Sequence, residues 1–66
     1  MNVVVNGRDL ELDARATVEA LLVELGLEGP YALVERNGEP VERARYAETP
    51  LEEGDTLLVA RPVAGG

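Results

Sequence analysis

Val3-Val4-Val5-Asn6-Gly7-Arg8-Asp9-Leu10-Glu11-Leu12 decides how this chain folds, because it holds two strand signals joined by a turn signal. Val3 to Val5 is a β-branched run, and Asn6-Gly7 is the strongest short hairpin signal, since both residues tolerate the positive φ of a type I′ turn. The returning segment, Arg8 to Asp13, alternates polar and apolar residues. Leu10 and Leu12 then face a core, while Asp9, Glu11 and Asp13 face water. A β-hairpin with one apolar face follows.

Beyond the hairpin, Val18, Leu21, Leu22 and Leu25 are spaced i, i+3, i+4 and i+7, which sets all four on one stripe of a helix. Thr17 is the expected N-cap, and Glu19 lies near the positive end of the helix dipole. Gly26 supplies the stop, and Gly29-Pro30 prevents the helix from resuming. Tyr31 to Arg36 reads as a third strand closed by a second turn pair, Asn37-Gly38. Pro40 and Pro50 restrict the segment from Glu39 to Pro50 to a brief strand and irregular turns, with Tyr46 and Leu51 as its core anchors. Glu52-Glu53-Gly54-Asp55 reads as a solvated acidic turn; three acids there fit no calcium-loop spacing and mark no metal site. Thr56 to Arg61 is a last strand that is apolar on both faces, as a central strand is. The predicted architecture is α+β: a mixed sheet of four to five strands on one helix, in β-grasp order, with the first and last strands side by side at its centre. The domain spans residues 1–61. Residues 62–66, Pro62-Val63-Ala64-Gly65-Gly66, have neither periodicity nor bulk and are expected to project as a flexible tail.

Composition narrows the chemistry. With 66 residues there is room for one modest core and none for a deep catalytic cleft. The sequence contains no His, Cys, Ser, Lys, Phe or Trp. The usual general base, most nucleophiles and the imidazole and thiolate metal ligands are therefore missing. No Walker loop can form without lysine. The net charge of −7, from 13 acidic and 6 basic residues, argues against a phosphate backbone as partner. No apolar run is long enough to span a bilayer, and Met1 to Asn6 lacks the pattern of a signal peptide. The expectation is a cytoplasmic protein, monomeric when free, that binds neither nucleic acid nor membrane.

The hairpin with Asn6-Gly7, Thr17-Val18 opening a Leu-rich helix, Asn37-Gly38-Glu39, the stretch Tyr46-Ala47-Glu48-Thr49-Pro50-Leu51, Gly54-Asp55 and the closing Ala64-Gly65-Gly66 together resemble the ThiS sulfur carriers of thiamin biosynthesis. The likeness covers essentially the whole chain. It implies that the Gly66 carboxylate is adenylated by an E1-like adenylyltransferase (ThiF-like) and converted to a thiocarboxylate. A sulfur donor protein would supply the sulfur, and a thiazole synthase (ThiG-like) would receive it. Gly65 would let the tail thread a narrow channel. No cofactor would be bound by this chain, and ATP would be used by the activating partner.

The residues themselves agree with these roles. A free carboxylate is a poor acyl donor and this chain has no groups to activate it, so it is read as a substrate rather than an enzyme. Two glycines without Cβ let the backbone approach a nucleotide closely. Pro62 fixes one φ at the base of the tail, which lowers the ordering cost of roughly 1–2 kcal/mol per residue when a partner threads it. On the last strand, Leu57 and Val59 should point inward, leaving Leu58 and Ala60 outward beside Val4 as an apolar docking patch next to Pro62, Val63 and Ala64. Within the carrier class the alternatives are a MoaD-like subunit serving the molybdenum cofactor, or a carrier for tRNA thiolation or another thio-metabolite. From another class, a ubiquitin-like modifier would join Gly66 to lysines of other proteins.

Overall fold

The chain is described here from a computed structural model covering residues 1–61. Strand β1 (Asn2–Val5) and β2 (Arg8–Glu11) form the antiparallel hairpin, with Asn6 at φ 51° and Gly7 at φ 82° in the turn. Both values lie in the left-handed region that a type I′ turn requires, which explains the choice of Asn followed by Gly. The regular strand stops at Glu11 instead of reaching Asp13. Even so, the Leu12 N–H donates to the Met1 carbonyl at 2.8 Å, and the amino terminus donates to the Leu12 carbonyl at 2.7 Å. Asp13 then turns the chain, its Oδ1 accepting from the Arg15 N–H at 2.8 Å.

Helix α1 (Val18–Glu24) is capped as its sequence requires: Thr17 is extended, and its hydroxyl accepts from the Ala20 N–H at 3.2 Å. At the other end Gly26, at φ 71°, lets its own N–H reach the Val23 carbonyl and the Leu27 N–H reach that of Leu22, a Schellman stop. The inward stripe holds Val18, Leu21 and Leu22, all buried, with Leu25 half-buried behind them.

Strand β3 (Leu33–Arg36) is shorter at its start than Tyr31–Arg36, because its partner β5 (Thr56–Ala60) ends opposite Leu33. Without a neighbour to bond to, Tyr31 stays exposed outside the ladder. The second Asn-Gly turn leads into the two-residue edge strand β4 (Glu39–Pro40), followed by a 3-10 helix, Arg43–Glu48. Tyr46 on that helix is buried, and its hydroxyl donates to the Ala32 carbonyl at 2.8 Å. Leu51 is buried as well.

The sheet order is β2-β1-β5-β3-β4, with β1 and β5 parallel and every other pair antiparallel. This is the β-grasp arrangement, an α+β fold in which the helix packs on one face of a five-stranded mixed sheet. The core lies between them, centred on Val3, Val5, Leu21, Leu57 and Val59. The helix entrance is tied to the segment before β5 by two bonds, Val18 N–H to the Thr49 carbonyl and Leu51 N–H to that of Ala16. No helix among the described residues is long and apolar enough to cross a membrane.

One acid departs from the reading of a solvated turn. Asp55 is only 5% exposed. Its Oδ2 accepts from Arg36 Nε at 2.8 Å and from the Glu52 N–H at 2.8 Å, and its Oδ1 accepts from Asn37 Nδ2 at 3.1 Å. Burial pushes the carboxyl upward, but the Arg36 bond, the Glu52 amide, the Asn37 amide and the Arg36 charge outweigh it and hold the pKa below the ordinary 3.8. Glu52 and Glu53 are exposed, as the sequence implies. Among the described residues, no group of three or more His, Cys, Asp or Glu could hold a metal ion.

Candidate docking face and tail base

Alternation along β5 sets the outer face of the sheet. Leu57 and Val59 are buried, and Leu58 and Ala60 are exposed, Leu58 at 54%. Val4, half-buried, pairs with Thr56 in the parallel register and so shares this face. The three residues singled out from the sequence are thus brought together.

The register adds residues that the sequence reading left unassigned. Leu33, 49% exposed, lies opposite Ala60, and Glu35 lies opposite Leu58, with Pro40 next to it on β4. On the other side Asp9 lies opposite Val4, and Glu11 opposite Asn2. The outcome is an apolar centre of Val4, Leu58, Ala60, Leu33 and Pro40 carrying three carboxylates, Asp9, Glu11 and Glu35. Among the strand residues on this face there is no arginine. Leu33 could have been found from its neighbours: Ala32 and Val34 are both core residues, so the residue between them faces out.

The end of β5 is held from the β1 side by a side chain. Asn6 Oδ1 accepts from the Val59 N–H at 2.8 Å, and Asn6 Nδ2 donates to the Val59 carbonyl at 3.1 Å. The start of β5 is held similarly from the β3 side. Asn37 donates its N–H to the Thr56 carbonyl at 2.7 Å, and its Oδ1 accepts from the Thr56 N–H at 2.9 Å. No local sequence signal announces either grip, since Asn6 and Val59 are 53 residues apart. Pro62, Val63, Ala64, Gly65 and Gly66, the remaining expected site residues, lie outside the described residues.

Chemically, the described part of the molecule offers an apolar sheet face with acidic flanks, from which β5 leads toward residues 62–66. A family model described as the ThiS family matches residues 3–66. The chain is 41% identical over its 66 residues to a thiazole synthase of Paramagnetospirillum magneticum, and 35% identical to a thiazole synthase of Magnetococcus marinus. In both cases all of the chain is covered, but it spans only about a fifth of the relative's length, 20%. The crystal structure of the thiamine biosynthesis protein ThiS from Geobacter metallireducens superposes with a TM-score of 0.81 at 33% identity, covering 100% of both chains. A solution structure of a thiamine biosynthesis protein from the same organism gives the same TM-score of 0.81 and identity of 33%, with 88% of that chain covered.

Proposed function

The chain belongs to the ThiS family of small sulfur carriers in thiamine biosynthesis, and from that premise we propose that Gly66 is the residue on which sulfur is carried. An oxygen of the Gly66 carboxylate attacks the α-phosphorus of ATP held by a ThiF-like activating partner, and pyrophosphate leaves. A sulfide-level nucleophile delivered by a sulfur donor protein then attacks the carbonyl carbon and AMP leaves, giving a thiocarboxylate. Sulfur passes from there into thiazole formation on a ThiG-like partner, and the original carboxylate is restored by hydrolytic release. The chain is a protein cosubstrate in this scheme, and the scheme operates in the cytoplasm.

The observation that carries this reading is the family match, which runs through Gly65 and Gly66 and so includes the residues the chemistry needs. The names of the two thiazole synthase relatives support a ThiG-like recipient. The apolar outer face of Val4, Leu58, Ala60 and Leu33 supports a role as docking surface for the activating partner, since it adjoins the base of the tail. Gly65 and Ala64 have little or no side chain to obstruct a threading channel.

Intact mass measurement tests the proposal. After incubation with ATP, a sulfide source and a competent ThiF-type enzyme, the mass should rise by the exchange of one oxygen for one sulfur. Removing Gly65 and Gly66 should abolish the change. An unchanged mass for the full chain beside an active activating enzyme would overturn it, and covalent adducts on lysines of other proteins would favour the modifier reading instead.

A further inference from the structure

We propose that Asn6 is a positioning residue for the acyl terminus, its side-chain amide replacing the missing partner strand at the end of β5 and fixing where residues 62–66 begin. The inference rests on the carrier reading and concerns how that reaction is kept efficient. In a parallel ladder, a residue donates its N–H to one residue of the neighbour and accepts, through its carbonyl, from the residue two further along. Asn6 makes the first bond with its main chain, donating to the Leu57 carbonyl at 2.9 Å. It cannot make the second in that way, because β1 ends at Val5 and the chain turns away from β5 through Asn6 and Gly7 into β2.

The side chain completes the pattern. Oδ1 takes the Val59 N–H, and Nδ2 additionally satisfies the Val59 carbonyl, so both polar groups of that residue are engaged. Without Asn6, Val59 and Ala60 would be held from the β3 side alone, by pairing with Val34 and Leu33. Val59 lies two residues before Arg61, the last described residue ahead of the tail. If this end of β5 frays, one more residue must be re-ordered each time a partner threads the tail, which lowers the fraction of bound carrier poised to react. Few residues can do this job. The φ of 51° favours Asn, Asp or Gly, and of these only Asn carries both the acceptor and the donor that Val59 uses.

Asn37 supplies the matched control. It occupies the equivalent position of the other Asn-Gly turn, at φ 52°, and grips β5 at Thr56, the end remote from the tail. Asn6→Gly and Asn37→Gly each keep a residue suited to positive φ and remove one grip. Both are compared with the parent at a temperature where circular dichroism shows all three folded. The readouts are kcat and KM for pyrophosphate release with a ThiF-type enzyme, and hydrogen exchange of the Val59 amide.

With Asn6→Gly, kcat should fall about five- to thirtyfold, the equivalent of re-ordering one backbone residue, with KM within about twofold of the parent. Exchange at Val59 should accelerate while Leu57 remains protected. Asn6→Asp, which keeps the acceptor and loses the donor, should fall between parent and glycine variant. Asn37→Gly should lose stability yet retain the parental kcat. The inference is overturned if Asn6→Gly turns over at the parental rate, if it raises KM alone, or if Asn37→Gly slows kcat equally. Failure of the parent itself to release pyrophosphate would instead overturn the carrier reading, and this inference with it.

Discussion

Replacing Asp55 by Asn tests the buried carboxylate of the domain. Three donors converge on the carboxylate, two on Oδ2 and one on Oδ1. An amide at the same place has one oxygen. If that oxygen faces Arg36 and the Glu52 N–H, the new NH2 meets Asn37 Nδ2, donor against donor. Asn37 cannot turn over to help, because its Oδ1 already accepts from the Thr56 N–H. One buried donor is therefore stranded, at a cost of about 1–3 kcal/mol, and the Arg36 bond loses its charge assistance, for about 1 kcal/mol more. The sum, about 2–4 kcal/mol, is a large share of the roughly 3–10 kcal/mol that holds a domain of this size. The melting temperature should drop by roughly 10–30 °C.

Urea melts followed by far-ultraviolet circular dichroism measure this at neutral and acid pH. The sign of the pH dependence follows from the lowered pKa. Stabilisation from the Asp55 carboxylate is fully present above the unfolded value, near the ordinary 3.8, and is lost as pH falls through the lower folded value. The gap between parent and Asp55→Asn should thus be constant from neutral pH down to about 5 and close below 4. Equal stabilities at pH 7, or a gap that persists undiminished in strong acid, would refute the reasoning.

Two further outcomes follow from the same geometry. Tyr46→Phe should cost about 1 kcal/mol in the same urea melts, since it strands the buried Ala32 carbonyl while leaving the ring packed. Leu58→Arg, at a half-exposed site, should leave stability within about 0.5 kcal/mol of the parent. Its affinity for the activating enzyme, read by titration calorimetry, should nevertheless weaken about tenfold or more, because a cation is placed at the centre of the apolar face.

Where the code was local, the sequence could be read almost residue by residue. The two Asn-Gly turns, the Thr17 cap, the Gly26 stop and the inward stripe Val18, Leu21 and Leu22 each depend on neighbours within a few positions. The strand ends were less legible. Whether β3 begins at Tyr31 or at Leu33 depends on where β5 runs out opposite it, which is a property of register. Asp55 shows the same limit more sharply. In sequence it is the third acid of a polar turn, and only the fold brings Arg36 and Asn37 over it and takes it out of water. On the docking face, Val4, Leu58 and Ala60 followed from alternation, whereas Glu35 and Asp9 became part of it only through pairing across strands. The grip of Asn6 on Val59 was hidden altogether, because the turn signal accounts for an Asn there without any distant partner.

The parallel seam between β1 and β5 has a consequence for how the molecule is made. A ribosome releases Asn2–Val5 early, but the strand that flanks it on the inside, Thr56–Ala60, emerges only after every other element among the described residues. Until then the valines of β1 lack their inner neighbour, and the sheet is left open down its middle. Synthesis that stalls before that point yields a chain with its core agape, which proteases can clear. Closure of the seam thus requires that the whole of Thr56–Ala60 has been made and released.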